Sequence, residues 1–413
     1  MISLEKVLSP INMLKACERV KANKGAPGVD GMTVDQIDAH LRQHRASIYA
    51  HIRAGTYIPA PVRRVDIPKP DGGMRMLGIP TVQDRVIQQA IAQVLTAHFD
   101  RTFSEYSYGF REGRSAHQAI EQTRCYIAEG RSWVVEMDLA KFFDTVSHDR
   151  LMAVLERNCR DKMLLRLIRR YLRTGIMDGG LVTVREEGTP QGSPLSPILS
   201  LIVLDELDKY LERRGLKFCR YADDCNIYVK SRRAGERVLE TTIQFIEETL
   251  KLRVNRDKSG VFRPRRAKFL GYTFVGTTGE PRVHPKSFKR LRLKLRDIFW
   301  HGRGGSLFQT IEKLTLLLRG WRQYFKLDPR KEVFEELDAY IRRHLRKLIW
   351  IAWKRPKTRE RELRRRGLTA ERAWKSSVNG RGAWWNAKAS HMNEAFPKAF
   401  FRRHGLYSLS AMS

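Results

Sequence analysis

The chain has little cysteine, no long apolar run and far fewer acidic than basic residues. Its 413 residues include five cysteines, and none of them forms a C-x-x-C pair. This pattern excludes a zinc ribbon and a disulfide framework, and it is typical of a reducing cytoplasm. No apolar run approaches the roughly 18 residues that would span a bilayer, and the N-terminus lacks the apolar stretch of a secretory signal. We therefore expect a cytoplasmic protein with no membrane partner.

The shortage of acids leaves a large positive charge that is concentrated toward the C-terminus. Lys and Arg total 78 against 45 Asp and Glu, which gives a net charge of +33. Residues 281–413 carry +22 of that charge. An excess of this size favours a polyanionic partner, most often nucleic acid. The alternatives are a solvated basic face and a ribosome-bound structural protein.

Hydrophobic periodicity separates a mixed region from a helical one. The patterns predict a strand over 133–138, a hairpin over 218–229, and helices over 82–99 and 151–172. Because strands and helices interleave without regular βαβ spacing, we expect an α+β fold rather than a doubly wound sheet. From about residue 283, apolar stripes at spacings of three and four predict helices with basic outer faces. Ser306 and Gln309 predict a capping box at the start of the second of these helices.

Two adjacent acids, Asp223 and Asp224, fall at the turn of the predicted hairpin. Asp-Asp is a common turn pair, but two carboxylates between apolar strands are costly unless a cation takes up their charge. Asp138, at the end of the strand that begins at Trp133, is the candidate third acid. Carboxylates of this kind bind Mg²⁺ together with substrate phosphates, and a metal pair can activate a 3′-hydroxyl and stabilise a leaving pyrophosphate. The acids therefore predict a nucleotidyl-transfer site.

Short blocks of sequence, read in order, resemble those of reverse transcriptases encoded by bacterial group II introns, and most closely the compact type without an endonuclease domain. The blocks are residues 23–31, 67–73, 83–90, 108–111, 138–144, 188–192, 221–224, 269–272 and 318–325. One departure is Ser193, which stands where many relatives have a glycine. We expect no endonuclease domain, because no C-x-x-C pair or long segment follows the helical region.

The resemblance implies a right-hand polymerase, with an antiparallel palm sheet, an all-α thumb and a small basic C-terminal region. Residues 1–58 would form the N-terminal extension and the start of the fingers, and 59–282 the fingers-palm core. Residues 283–375 would form the thumb, known in this family as maturase domain X, and 376–413 a DNA-binding region. Tryptophans in the tail would either stack on nucleic-acid bases or hold the tail to the thumb.

The resemblance also implies roles for individual residues. Asp138, Asp223 and Asp224 would be catalytic and bind two Mg²⁺ ions, or Mn²⁺, with the carbonyl of Leu139 as a further ligand. The nucleotide contacts would be Lys69, Arg75, Phe143, Gln191 and Lys258, of which Phe143 would exclude a 2′-hydroxyl. The primer grip would be Leu270, Gly271 and Tyr272. Template or intron RNA would contact Asn23, Lys24, Gly25, Arg111, Arg319, Trp321, Arg342 and Arg346.

The implied partners are structured group II intron RNA, an RNA template–DNA primer duplex, target DNA and dNTPs. The protein would then associate with the nucleoid during intron mobility. Three alternatives stay open from the sequence. They are a splicing factor whose polymerase site is inactive, a stand-alone relative used in host DNA repair or defence, and an RNA-templated RNA polymerase.

Overall fold

The computed structural model describes residues 2–68, 72–140, 142–178, 181–183, 188 and 192–411. Lys69 and Gln191 lie outside the described residues, as does the side chain of Arg75. The chain divides into two compact units, Met1–Leu270 with Gly276–Gly279, and Gly271–Val275 with Glu280–Ser413. In the described part of the chain, no helix combines the length and the apolar character needed to cross a bilayer.

The first unit contains a helical scaffold around two four-stranded sheets. Its helices are α1 (Leu4–Val7), α2 (Pro10–Ala22), α3 (Ile37–Arg53), α4 (Val82–Phe99), α5 (Ala116–Ala128), α6 (Phe142–Thr145), α7 (His148–Asn158), α8 (Lys162–Leu172), α9 (Ser196–Arg213) and α10 (Arg232–Gln244). Its strands are β1 (Val62–Pro68), β2 (Met74–Ile79), β3 (Trp133–Met137), β4 (Ile176–Asp178), β5 (Leu181–Thr183), β6 (Lys217–Tyr221), β7 (Asp224–Val229) and β8 (Gly260–Phe262). The strand orders are β2-β1-β4-β5 and β6-β7-β3-β8.

The α+β prediction is confirmed, and the second sheet is antiparallel throughout. Helix α4 has the bounds that the periodicity predicts. The helix predicted over 151–172 is instead two helices, α7 and α8. The break falls before Asp161, whose carboxylate accepts the backbone N–H groups of Met163 and Leu164 and so starts a new helix. A side-chain oxygen in this position satisfies donors that a helix start would leave unpaired.

A buried ion pair joins α9 to the hairpin of β6 and β7. The Nε of Arg220 donates to Asp208 Oδ1 at 2.7 Å, and its Nη2 donates to the Ser107 hydroxyl at 2.7 Å. Its Nη1 donates to the carbonyl of Ala222 at 2.9 Å. Arg220 is 1% exposed and Asp208 is fully buried. Because each charge is paired and hydrogen-bonded, the guanidinium can bind three parts of the unit without being left unpaired in the interior.

The second unit is helical apart from one hairpin. Its elements are β9 (Tyr272–Val275), β10 (Glu280–Val283), α11 (Pro285–His301), α12 (Leu307–Tyr324), α13 (Lys331–Ala352), α14 (Pro356–Arg364), α15 (Ala370–Ser377), α16 (Ala383–Asn386), α17 (Ser390–Ala395) and α18 (Lys398–Arg403). The apolar stripes predicted after residue 283 all lie on α11, α12 and α13. The predicted capping box is wrong: Ser306 occupies the N-cap of α12, but its side chain makes no capping hydrogen bond.

One core runs through this unit from α11 to the end of the described chain, and it includes Leu291 and Leu409. Asp338 on α13 accepts the backbone N–H groups of Leu409 and Ser410 at 2.9 and 3.1 Å. Trp384 packs between the rings of Tyr340 and His344 and under the guanidinium of Arg343. Trp384 therefore fixes α16 to α13 although part of its ring stays exposed, and Trp374 and Trp385 are more exposed still.

Replacing Asp208 with Asn should destabilise the protein by about 3–5 kcal/mol, because Arg220 would become a buried charge without its counterion. The matched control is Glu236→Gln, which breaks the exposed pair of Arg232 and Glu236 and should cost less than about 1 kcal/mol. The free energy of unfolding from urea titration measures both. Equal small losses would mean that the buried pair does not stabilise the hairpin.

Candidate active site

Antiparallel register brings the three predicted acids to one edge of the second sheet. In the ladder of β3 and β7, Met137 pairs with Cys225, and in the hairpin Tyr221 pairs with Asp224. Continuing the first register by one residue places Asp138 opposite Asp224. Opposed residues in an antiparallel pair have Cα atoms about 4.5–5.5 Å apart. Asp138, Asp223 and Asp224 therefore meet where β3 ends and β7 begins.

The segment before β8 holds Asp138 in place. The backbone N–H of Asp138 donates to the hydroxyl of Ser259 at 3.0 Å, and its carbonyl accepts the N–H of Asn255 at 2.8 Å. Leu139 forms an isolated bridge with Val254. The residues on either side of Leu139 make the hydrogen bonds to the segment before β8. The carbonyl of Leu139 itself therefore points to the opposite edge of its strand, the edge on which β7 lies. This direction suits the metal-ligand role that the resemblance implies for that carbonyl.

The turn that carries Asp223 is tight and strained. Ala222 has a φ of 56°, a left-handed conformation that costs a non-glycine residue roughly 1–2 kcal/mol. The bond from Arg220 to the carbonyl of Ala222 holds this conformation. Gly109 packs against the same turn so closely that an added Cβ would lie 2.4 Å from the nitrogen of Ala222. The surrounding structure thus determines where the turn presents its carboxylate.

The cluster of acids is electrostatically unfavourable when no cation is bound. Burial, followed by the negative charges of Glu136, Asp223 and Asp138, raises the pKa of Asp224 to about 8, while Lys268 opposes the shift. The Lys258 ammonium lies 4.0 Å from Asp138 Oδ2. That exposed pair is too weak to offset the repulsion. The site as folded therefore favours a bound cation.

The donor set fits a hard divalent ion that is shared with a substrate. Among residues 2–68, 72–140, 142–178, 181–183, 188 and 192–411, no group of three or more His, Cys, Asp or Glu side chains is placed to hold a metal ion by itself. Mg²⁺ commonly binds one or two protein carboxylates and completes its shell with water and substrate phosphates. An open group of aspartates beside a backbone carbonyl has this character.

An open cavity of about 560 Å³ lies in the first unit, and we call it the N-terminal cleft. Phe143 lines it, whereas its neighbour Phe142 is buried in the core. The remaining lining residues come from α2 and the loop at residues 23–31 that follows it, which we call the N-terminal loop, from β2 and α4, from the segment between α4 and α5, and from the start of α9 with the residues before it. They are Val20, Asn23, Gly25, Leu77, Arg85, Gln89, Phe110, Gly192, Ser193, Pro194, Ser196 and Pro197. The cleft thus joins the predicted template loop to the predicted steric gate.

Two of the arginines predicted to bind RNA are used inside the fold. Arg111 donates to the Asp100 carboxylate and to the carbonyls of Ser104 and Ser107 at 2.6–2.9 Å. Arg346 is also buried and donates twice to the carbonyl of Phe396. The prediction that these two guanidiniums contact RNA is therefore corrected, because their donors are committed to backbone and carboxylate oxygens.

The other predicted RNA contacts differ in how accessible they are. Asn23, Lys24 and Arg319 are exposed, and Arg342 is half-buried in a pocket between α13 and the segment that begins with α18. Trp321 packs against the rings of Phe288, Phe325 and Phe334. The ring of Trp321 is therefore largely part of the helical core.

The predicted primer grip lies where the first unit ends and the second begins. Leu270 and Gly271 have left-handed φ values of 50° and 83°. Within the second unit, the carbonyl of Gly271 accepts the hydroxyl of Ser287 at 2.9 Å, and the Tyr272 hydroxyl donates to the carbonyl of Tyr324 at 2.6 Å. Tyr272 is fully buried. Its side chain therefore supports the backbone of this segment rather than presenting a surface group.

Sequence reasoning missed several residues around the acids. Glu136 lies two residues before Asp138 and accepts the backbone N–H of Lys268. The period of two along a strand could have placed Glu136 on the same face as Asp138. No sequence signal marks Arg220, because its importance depends on burial and on partners that are distant in the chain.

Asp224→Asn should stabilise the metal-free protein at pH 9 and have less effect at pH 6. The folded-state pKa of Asp224 is raised, so the stability that the protonated group contributes is fully present below its unfolded pKa of about 4 and is lost as pH rises from there to about 8. Mg²⁺ should raise the melting temperature of the wild type at pH 9 and that of the variant much less.

Thermal melts with and without Mg²⁺ measure this effect, and Asp257→Asn is the control because Asp257 is an exposed acid near the site. A pH-independent difference between Asp224→Asn and the wild type would contradict the raised pKa.

Comparison with known protein families finds a match in each unit. Residues 67–274 match the family described as "Reverse transcriptase (RNA-dependent DNA polymerase)". Residues 288–367 match the "Group II intron, maturase-specific domain". The first match runs from the end of β1 into β9 and contains all three clustered acids. The second covers α12 and α13 and most of α11.

Individual relatives agree with these matches. Protein YkfC of Escherichia coli is 34% identical over 299 residues, which cover 62% of this chain and 78% of that protein. The group II intron-encoded protein LtrA of Lactococcus lactis is 34% identical over 215 residues, which cover 52% of this chain and 36% of LtrA. A putative COX1/OXI3 intron 2 protein of Saccharomyces cerevisiae is 31% identical over 341 residues, which cover 68% of this chain and 40% of that protein.

The chain thus spans most of YkfC but less than half the length of the two intron proteins. With the acids assembled at one sheet edge and both domain matches in order, the chain belongs to the reverse transcriptase family and carries a group II intron maturase-specific domain.

Proposed function

We propose that the protein is an RNA-directed DNA polymerase that also acts as the maturase of a group II intron. The polymerase copies RNA into DNA by nucleotidyl transfer. The maturase function stabilises the folded intron RNA and so assists its splicing. The observation that carries the proposal is the meeting of Asp138 with Asp223 and Asp224, which the register of β3 and β7 produces.

The acids supply what a primer 3′-hydroxyl and an incoming dNTP need. Asp138, Asp223 and Asp224, with the carbonyl of Leu139, would hold two Mg²⁺ ions. When bound, such ions lower the pKa of the attacking hydroxyl and neutralise charge on the triphosphate. The fixed turn at Ala222 and the bonds to Asp138 orient the carboxylates in advance, which limits reorganisation during the reaction.

Nucleotide selection is assigned to the region beside the acids. Lys69, Arg75 and Gln191 would contact the incoming nucleotide. Lys258 would do so as well, and its ammonium lies 4.0 Å from Asp138 Oδ2. Phe143 lines the N-terminal cleft, where its ring would exclude a 2′-hydroxyl.

Intron RNA, target DNA and an RNA–DNA duplex are the proposed macromolecular partners. Support comes from the net charge of +33 and from its concentration in the second unit. Exposed Arg319 and half-buried Arg342 remain candidates for phosphate contacts there. The free thiols fit a reducing cytoplasm, where the chain would join the nucleoid during intron mobility.

Primer extension tests the polymerase proposal directly. An RNA template with an annealed DNA primer, dNTPs and Mg²⁺ should be extended by the wild type. Asp223→Ala should reduce extension by roughly 100-fold or more, because charge stabilisation in the transition state is lost. Asp257→Ala is the matched control, since it removes an exposed carboxylate near the site.

Binding and splicing of a group II intron RNA should be measured on the same proteins. Retained RNA binding by Asp223→Ala would separate binding from chemistry. A wild type that binds and splices intron RNA but adds no nucleotide would instead be a splicing factor without polymerase activity. Extension with NTPs in preference to dNTPs would identify an RNA polymerase.

Phe143→Ala should increase ribonucleotide incorporation relative to deoxynucleotide incorporation by roughly ten-fold or more, because the ring that meets the 2′-hydroxyl is removed. The ratio of kcat/KM for NTP and dNTP measures the change. Phe110→Ala serves as control, since it removes another ring from the same cleft. Equal changes in the two variants would contradict the assignment of Phe143 as the steric gate.

A further inference from the structure

Glu136 is a half-buried acid beside the clustered aspartates, and the proposed function gives it no role. It lies on β3 two residues before Asp138, a spacing that puts both side chains on one face of the sheet. Across the ladder Glu136 is opposite Asn226, which lies two residues after Asp224 on β7. Glu136 therefore shares the face of the sheet on which the acids meet.

The carboxylate of Glu136 holds a segment that follows β8 in the chain. Its Oε1 accepts the backbone N–H of Lys268. Lys268 is followed by Phe269, which is fully buried, and by Leu270, whose left-handed φ of 50° begins the predicted primer grip. Residues 268–270 belong to the first unit, as the acids do. Glu136 thus connects the strand before Asp138 to the segment that enters the primer grip.

The charge of Glu136 works against the clustered acids rather than for them. Burial raises the pKa of Asp224 most, and the negative charge of Glu136 comes next, ahead of the charges of the other two acids. The positive charge of Lys268 opposes this shift. Lys268 therefore acts on the acids through its ammonium and on Glu136 through its backbone. The favourable contact that the Glu136 carboxylate makes here is a charge-assisted hydrogen bond to a backbone N–H.

A hydrogen bond at this point fixes two parts of the chain that polymerisation has to align. In the proposed function, the primer 3′-hydroxyl must lie at the metal site that Asp138 helps to form. A displacement of about 1 Å between reacting atoms can lower a rate by roughly 100-fold. The length of the Glu136 side chain sets how far Lys268 lies from β3, and so how far the start of the primer grip lies from the acids.

We propose that Glu136 is a positioning residue, which holds residues 268–270 at a fixed distance from β3 and thereby places the primer terminus relative to Asp138. The inference rests on the proposed function, in which residues 270–272 grip the primer. It gives an acid beside the metal site a role that depends on its reach and its acceptor oxygen, and not on its charge.

Two conservative variants separate reach from charge. Glu136→Gln keeps the length and an acceptor oxygen but removes the charge, whereas Glu136→Asp keeps the charge and is one methylene shorter. Single-nucleotide extension of a DNA primer on an RNA template is measured at saturating duplex, dNTP and Mg²⁺. Glu136→Asp should lower kcat by roughly ten-fold or more. Glu136→Gln should stay within about three-fold of the wild type, because a neutral acceptor still holds the N–H of Lys268. The KM for dNTP should be nearly unchanged in both.

Glu129→Asp is the matched control, because Glu129 is an exposed glutamate at the end of α5 in the same unit. It should leave kcat as in the wild type. The amplitude of the initial burst of extension counts the active molecules in each sample. The rate per active site therefore does not depend on how much of a variant has folded.

Two results would overturn the inference. A loss in Glu136→Gln that equals or exceeds the loss in Glu136→Asp, with a raised Mg²⁺ requirement, would show that Glu136 acts on the metal site through its charge. Wild-type rates in both variants, with only lower melting temperatures, would make Glu136 structural. A wild type that extends no primer would refute the proposed function itself, so the two failures are distinguishable.

Discussion

The paired charges of Arg220 and Asp208 are the constraint on which the active-site geometry depends. A single guanidinium contacts α9, the segment at Ser107 and the carbonyl of Ala222. These contacts hold Ala222 in a left-handed conformation, which is strained for a residue that has a side chain. Because the ion pair fixes Arg220 in the core, its hydrogen bond also fixes the residue that precedes Asp223. A turn built in this way needs no ligand to adopt its shape.

The same rigidity explains why the acids repel one another before a metal binds. Asp224 cannot move away from Glu136, Asp223 and Asp138, because its strand is paired along its length. Protonation is then the available relief, and it is reflected in the raised pKa of Asp224. Cation binding would provide the alternative relief. The fold thus holds repulsive charges together in advance, and their mutual repulsion favours ligand binding.

Sequence reasoning predicted much of this arrangement where local chemistry decides it. The strand before Asp138, the hairpin around Asp223 and the bounds of α4 follow from periodicity and turn residues. Sequence reasoning was wrong where the role of a residue depends on whether the fold buries it. Arg111 and Arg346 looked like surface cations, yet backbone carbonyls inside the fold bind them. Asp161 looked like a polar residue within one helix, yet its side chain begins another.

The N-terminal loop approaches α4 through backbone atoms rather than side chains. A Cβ at Gly28 would lie 2.6 Å from the Cα of Thr81, and one at Gly25 would meet the guanidinium of Arg85. The backbone of the loop therefore sets the width of the N-terminal cleft. Side-chain substitutions elsewhere along the loop cannot change that width. Divergence among related proteins could alter what lines such a cleft far more easily than how wide it opens. The width of the cleft would then be inherited with the fold, while the chemistry of its lining could drift.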